Sequence, residues 1–291
     1  MAALHVTLRL QYCYKSMDSL QQSLTAYAYN IIGSYEDAKD VVQDVLLEKM
    51  NRPEGSIDNE KAYLTRSVIN RAINAKNRQK KLLSSYRGEW LPEPVATEKA
   101  DHDLHQKDIL SYSLMVLLEK LDPKQRAVFI LKEAFDYDHE EIAKVLDISV
   151  ENSRKILSRA RKELRTDTVH EVTKAPEGYL SKFIDIIHNG DTKKLEQLLN
   201  DDIVLISDGG GKVAAALYPV EGKEKVLAFL SGIYRKFYYA AQIVPGNVNH
   251  HPALFYYMDG ALVNCQVFEL QNGQIHRTYF IRNPDKLSHL K

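Results

Sequence analysis

The chain has 291 residues, 44% hydrophobic and 27% charged, with 39 Lys and Arg against 39 Asp and Glu. That length holds two or three domains with cores of their own, and the composition excludes collagen-like, disordered and membrane-embedded classes. Zero net charge argues against a uniformly basic DNA-binding protein, yet the charge is segregated. Lys61, Arg66, Arg71, Lys76, Arg78, Lys80, Lys81 and Arg87 lie between Glu60 and Glu89 with no acid among them, whereas residues 36 to 48 are acid-rich. Cys13 and Cys265 form no metal-spaced or disulfide set. The segment MAALHVTLRL lacks an export signal, and no apolar run approaches the roughly 20 residues that span a bilayer, so the expectation is a cytoplasmic protein without membrane contact. Residues 1 to 16 show no periodicity, and the functional start is read at Met17.

Leu20, Leu24, Tyr27, Ala28 and Ile31, spaced by three and four, predict a helix from Ser19 that breaks at Gly33-Ser34. A second helix opens on acids and ends before Pro53 and Gly55. Its stripe of Ala38, Val41, Val42, Val45 and Leu46 faces a core; Asp37, Asp40, Asp44 and Glu48, with Gln43 beside them, form an acidic stripe that repels phosphate and so faces solvent or a protein. A long helix from about Glu60 to Ser84 turns Leu64, Val68, Ala72 and Ala75 inward. Arg66, Asn70, Asn74, Asn77 and Lys81 line its other side, with Arg71 and Arg78 adjacent. Asparagine is an indifferent helix former, so three of them suit amide contacts to base edges, sugar or phosphate; the alternative is a solubilised surface.

Residues 86–106, with Pro92, Pro94, Gly88 and the sole tryptophan, Trp90, read as a linker. Helices resume near Lys107, and Leu121-Asp122-Pro123 is a helix stop followed by a start. Glu140 to Leu146, the turn Asp147-Ile148-Ser149 and a helix from Val150 have helix-turn-helix spacing. In that last helix Ser153, Ile156, Leu157, Ala160 and Leu164 share one face, while Arg154, Ser158, Arg161 and Arg165, flanked by Lys155, Arg159 and Lys162, share the other. Such a helix satisfies both a core and DNA phosphates; the alternative is a solvated basic face. Beyond a boundary at Thr166 to Pro176 come two short helices, Tyr179 to His188 and Thr192 to Leu199. Strand-like segments follow at Ile203 to Ser207, Ala261 to Leu270 and Gln274 to Arg282, the last two joined by an Asn272-Gly273 turn. Helices followed by strands predict an α+β domain.

The runs Gly33 to Met50, Lys61 to Lys81 and Leu118 to Arg165, in this order, resemble the extracytoplasmic-function sigma factors of the sigma-70 family. The resemblance implies that Asp37, Asp40, Gln43, Asp44 and Glu48 dock on core RNA polymerase. It implies that Arg66, Asn70, Arg71, Asn74, Asn77, Arg78 and Lys81 read the minus-ten promoter element. Glu151, Asn152, Arg154, Lys155, Ser158, Arg159 and Arg161 would then read the minus-thirty-five element. The remaining third is similar to a SnoaL-like domain of the nuclear-transport-factor-2 fold, a curved sheet and helices forming a cone. That likeness rests on Trp90-Leu91-Pro92-Glu93-Pro94, Asp208-Gly209-Gly210-Gly211-Lys212 and Asn283-Pro284-Asp285-Lys286-Leu287. It implies that these residues make regulatory contacts within the chain.

The expected architecture is therefore multidomain: two all-α sigma domains, the second with the helix-turn-helix, followed by an α+β cone domain. Region 2 is placed at 17–85, the linker at 86–106, region 4 at 107–167 and the regulatory domain at 176–291. The glycine triplet lacks the spacing of a nucleotide-binding loop, since Val213 follows Lys212. Asp208 and His276 have no spacing that argues acid–base catalysis, and His102, His105, His250 and His251 read as wet loop residues without metal. No enzyme activity, cofactor or metal is expected; core RNA polymerase and promoter DNA are the expected partners, and a small ligand in the C-terminal domain is left open. The alternatives are a ligand-sensing helix-turn-helix regulator without a sigma role, or a SnoaL-like enzyme.

Overall fold

The computed structural model describes residues 18–53, 55, 57–97, 106–164 and 175–290. Met17, His102, His105 and Arg165 lie outside them. By contact the chain forms two compact units. One holds Met1–Lys81, Ala100–Leu110 and Leu117–Asp167; the other holds Leu82–Lys99, Ser111–Val116 and Thr168–Lys291.

The first unit is helical. Helix α1 covers 18–32, and α2 (Tyr35–Met50) starts at Ser34, whose hydroxyl accepts from the Asp37 N–H at 3.2 Å. The long α3 is Glu60–Leu83. Leu24, Ala28, Ile31, Val41, Val45, Leu64, Val68 and Ala72 are buried as their spacing predicts. Leu46 is only half-buried, because the buried stripe of α2 begins at Tyr35 and runs through Ala38, Val41, Val42 and Val45. The short α4 (Tyr112–Leu117) falls, but for Leu117, in the second unit; in the first, helix α5 (Pro123–Glu133) is opened by a capping box of Asp122 and Gln125 with Pro123 in its first turn. Helix α6 (His139–Leu146) has a second capping box, Asp138 with Glu141, and ends on Asp147 in the left-handed region at φ 52°. That turn aims α7 (Val150–Leu164) across α5 and α6, with Ser153, Leu157, Ala160 and Leu164 buried.

Two cations enter the core of this unit. Lys76 is fully buried, and its ammonium donates to Ile32 O at 2.7 Å, to Gln79 Oε1 at 2.7 Å and to both oxygens of Glu119 at 2.8 and 2.7 Å. Arg126, also fully buried, bonds the same carboxylate and donates from Nε to Asn30 O at 2.9 Å. Burial lowers the Lys76 pKa to about 7 against the opposing pull of Glu119. Burial also works against the charged form of Glu119, but Arg126 and Lys76 outweigh it and hold its pKa below the ordinary value.

The second unit carries a six-stranded sheet and the remaining helices: α8 (Tyr179–His188), α9 (Thr192–Leu198), β1 (Leu199–Asp208), β2 (Val220–Glu221), α10 (Lys223–Ile233), β3 (Gln242–Val248), β4 (His251–Met258), β5 (Ala261–Gln271), β6 (Gln274–Ile281) and α11 (Pro284–Leu287). The strand order is β2-β1-β6-β5-β4-β3, with β1 parallel to β6 and the other pairs antiparallel. Phe183, Ile186, Leu195, Leu230 and Tyr234 pack with Leu254, Tyr256, Phe268 and Phe280 in one core, the helices-against-sheet arrangement that the SnoaL-like resemblance implies. The second core joins Val248, Ala253, Cys265, Val267, Tyr279 and Ile281 to Leu91, Tyr112, Leu287 and Leu290. Asn272-Gly273 forms the expected hairpin turn with φ of 53° and 78°; Asn249-His250, at 46° and 67°, makes another between β3 and β4. Among the described residues no helix is long and apolar enough to cross a membrane.

In the linker Leu91, Pro92, Glu93, Pro94 and Val95 are buried, and Ala96 bridges to Val248; one expectation is corrected. His251 is no loop residue. It lies buried on β4, its Nε2 3.0 Å from Ser113 Oγ and its Nδ1 3.2 Å from Phe268 O, and burial lowers its pKa to about 4. His250 does sit exposed in the turn.

Candidate functional site

The sequence-derived stripes fall on three helices of the first unit. On α2, Asp37, Asp40, Gln43 and Asp44 are exposed and Glu48 is half-buried. Glu48 is paired with Arg71 and, at 3.2 Å, with Arg52; Asp44 approaches Arg71 at 3.9 Å. Among the described residues Asp37 and Asp40 form no ion pair, so the N-terminal half of this stripe is the part left unneutralised. The exposed Leu47 and Met50 end the same helix.

On α3, Arg66, Asn74, Asn77, Arg78 and Lys81 are exposed, whereas Asn70 and Arg71 are half-buried. Asn70 does not offer its amide to solvent alone: Nδ2 donates to Arg66 O and to Val145 O, both at 2.8 Å. Arg66 reaches Asp147 at 3.9 Å. Two of the α3 stripe residues thus touch the end of α6, beside the helix-turn-helix bend. On α7, Asn152, Arg154, Ser158 and Arg159 are exposed; Lys155 pairs with Glu151 at 2.6 Å and Arg161 with Glu133 at 2.5 Å. Exposed pairs of this kind contribute about 0 to 1 kcal/mol, too little to withhold Lys155 or Arg161 from a phosphate. His139 Nδ1, 2.9 Å from the buried Ser153 hydroxyl, fixes α7 against α6.

In the second unit the three motifs converge on one carboxylate. Asp208, at the end of β1, is 1% exposed. Its Oδ1 accepts from Tyr86 OH at 2.5 Å and Gly210 N–H at 2.8 Å; its Oδ2 accepts from Leu91 N–H at 2.9 Å and from the Lys286 ammonium at 2.6 Å. Lys286 also bonds Leu91 O and stands 3.9 Å from the centre of the Trp90 ring. Burial, and then the Asp208 hydrogen bond, push the Tyr86 phenol well above its usual pKa. The glycines are explained individually. A Cβ on Gly209 would lie 2.2 Å from Val213 O, and one on Gly210 would lie 2.4 Å from the Asn283 amide carbon. Gly211 has open space but φ of +69°. Asn283 caps α11, accepting from Asp285 N–H at 3.1 Å with Pro284 in the first turn, and Asp285 pairs with Lys212 at 2.6 Å.

Downstream, the linker is held by its backbone. Tyr112 OH donates to Pro92 O at 2.8 Å, and His289 Nε2 lies 2.7 Å from Pro94 O. Val95 exchanges bonds with Asn249 at 2.9 and 3.0 Å. Sequence reading missed Asn249, His289 and Tyr86; only the left-handed Asn in a two-residue turn left a signal. Asp208 is committed to this clamp through both carboxylate oxygens. Among the described residues no cluster of His, Cys, Asp or Glu is placed to hold a metal.

Two family models match the helical part of the chain. Residues 17–82 match the model of sigma-70 region 2, and residues 111–164 that of sigma-70 region 4. The ECF RNA polymerase sigma factor SigJ of Mycobacterium tuberculosis is 28% identical over 287 residues, spanning 93% of this chain and 92% of that protein. The probable ECF RNA polymerase sigma factor SigI of the same species is 23% identical over 278 residues, with 92% of each covered. The crystal structure of SigJ superposes with a TM-score of 0.75, covering 94% of this chain and 98% of that one. The chain thus carries sigma-70 regions 2 and 4 in order with an α+β domain behind them, and over 93% of its length it is similar to an extracytoplasmic-function sigma factor.

Proposed function

We propose that this chain is a promoter-recognition subunit that works in the cytoplasm on core RNA polymerase and promoter DNA, without covalent chemistry or cofactor. The acidic face of α2, led by Asp37 and Asp40, grips the polymerase; α3 addresses the minus-ten element and α7 the minus-thirty-five element. Region 2 then occupies 17–85, the linker 86–106, region 4 107–167 and the regulatory domain 176–291. The C-terminal domain regulates in cis by holding the linker between regions 2 and 4 through Asp208. One observation carries the reading: two sigma-70 regions stand in order on one chain, the first with exposed carboxylates on α2 and exposed cations on α3 and the second with a cationic face on α7. Covalent tethering supports regulation in cis, because it raises effective concentration to roughly millimolar.

The test is gel filtration of the full chain with core polymerase, followed by run-off transcription. The wild-type chain is expected to co-elute and direct initiation, and Asp40→Lys with Asp44→Lys to lose both while keeping its fold, since both residues are exposed. A wild-type chain that never associates with core polymerase would mark a helix-turn-helix regulator without a sigma role instead.

A further inference from the structure

The second unit contains a cavity of about 510 Å³ between the turn that joins α8 to α9 and the C-terminal end of α10. That volume is in the range of small-ligand sites. Its wall is formed by Ile186, Leu195, Tyr234, Tyr238 and Ala241, and Tyr239 and Arg235 lie at its margin. Tyr234–Tyr238 is a π-helical turn, a widened geometry that recurs at functional sites. Tyr239 is 79% exposed and the neighbouring Phe237 50% exposed, so aromatic surface stands open beside the cavity.

Charge selects the ligand. Asp191, the acid in the lining, is already engaged: its carboxylate accepts from Lys194 N–H at 3.0 Å and from the Lys194 ammonium at 2.9 Å. Arg235 is exposed and, among the described residues, forms no ion pair. An aromatic wall with one uncommitted guanidinium fits an apolar body with an anionic head.

The cavity wall is also wired to the linker clamp. The Arg282 guanidinium lies over the Tyr238 ring, 6.0 Å from its centre. Arg282 bonds Ala214 O in the loop after the glycine triplet, and its N–H donates to Asp208 O at 2.8 Å. The next residue, Asn283, donates to the same oxygen at 3.0 Å and abuts Gly210. Polar capacity is left over along this path. Among the described residues Arg282 Nε has no hydrogen-bond partner, and neither has either amide atom of the fully buried Asn264, which pairs across strands with Tyr256, whose ring is 4.8 Å from that of Tyr238. Unmet buried groups are costly where they stand, so small movements of Tyr238 and Arg282 have alternative partners to find.

We infer that this cavity is an effector site for a small amphipathic carboxylate, and that its occupancy reaches the linker through Tyr238, Arg282 and Asp208. The coupling rests on the regulatory reading above; the binding does not. The experiment uses the full chain without polymerase, so failure here is separable from failure of the sigma assignment. The probes are 4-phenylbutyrate and its neutral analogue 4-phenylbutanamide, measured by calorimetry and by the fluorescence of Trp90, the chain's sole tryptophan. The carboxylate is expected to bind saturably and about tenfold tighter than the amide. Arg235→Gln should erase that difference, and Ala240→Trp, at an exposed lining residue, should abolish binding. Binding should shift Trp90 emission, and Arg282→Gln, outside the cavity lining, should keep binding within about threefold while losing the shift. No saturable heat up to millimolar carboxylate, or binding indifferent to Ala240→Trp, overturns the site. Saturation without any Trp90 response overturns the coupling.

Discussion

Replacing Asp208 by Asn removes one charge and keeps the shape. The new amide must place an NH2 group toward one of two pairs of donors, either Leu91 N–H and Lys286 or Tyr86 OH and Gly210 N–H. Lys286 then remains buried with no carboxylate at its ammonium. Removing one partner of a buried pair costs about 3 to 5 kcal/mol; at a urea slope of about 1.5 kcal/mol per molar, that moves the midpoint down by about 2 to 3 M. Trp90 reports the event directly, since its ring lies 3.9 Å from the Lys286 ammonium. The expected result is a lower urea midpoint by Trp90 fluorescence and a red-shifted emission already in native buffer, as the linker leaves its seat. Asp208→Leu combined with Lys286→Met replaces both charges by apolar groups and should recover at least half the loss. A midpoint that moves by less than about 0.5 M with unchanged emission would show that the buried ion pair does not hold the linker.

Arg154→Ala should weaken holoenzyme binding to promoter DNA by about 1 to 3 kcal/mol if it reads a base, or lower the salt slope by about one if it touches phosphate; anisotropy titrations in which neither changes would remove α7 from the interface. His251, with its pKa lowered to about 4, binds its proton later than in the unfolded chain, so stability is full above about pH 6.5 and falls as pH drops toward 4. This amounts to about 3 kcal/mol, and urea unfolding of His251→Gln should show that slope flattened. Glu119→Gln leaves Lys76 and Arg126 buried without their carboxylate and should cost about 3 to 5 kcal/mol by circular dichroism; a loss below about 1 kcal/mol would mean that water already reaches them.

Legibility followed the physics of each element. Helices α2, α3, α6 and α7 were readable because one face of each is buried and one is wet, so burial imprints a period on the sequence. Strands β5 and β6 were readable from β-branched and aromatic runs around Asn272-Gly273. Strands β3 and β4 were not, since Pro245, Gly246 and Pro252 interrupt them and β3 is an edge strand, where proline is tolerated. The seat of the linker was not readable for a related reason. Its hydrogen bonds go to distant partners such as Asp208 and Asn249, which leave no local period. Lys76 was hidden because its partner, Glu119, lies 43 positions away, and no local rule distinguishes a buried lysine from an exposed one.

Asn70 cannot donate to a base while its Nδ2 hydrogens go to Arg66 O and Val145 O, nor can α3 and α7 each be seated on a separate promoter element as they stand. Minus-ten and minus-thirty-five elements are about 25 base pairs apart, or roughly 85 Å at 3.4 Å per step. Val150, the first residue of α7, is three residues beyond Asp147, whose carboxylate is 3.9 Å from Arg66; three residues reach at most about 11 Å. A role in reading both elements therefore requires regions 2 and 4 to part. The Asn70 bond and the exposed Arg66 pair resist this by only about 1 to 2 kcal/mol. Lys76, Glu119 and Arg126 resist it differently. Within the closed unit they bind with strict geometry, so they fix how α3 and α5 meet. Once apart, all three regain hydration, which an apolar contact of the same size does not. A buried ionic latch is thus well suited to an interface that must be specific when shut and open without a large penalty, and an all-apolar seam at these positions would hold α3 and α5 together too firmly to part.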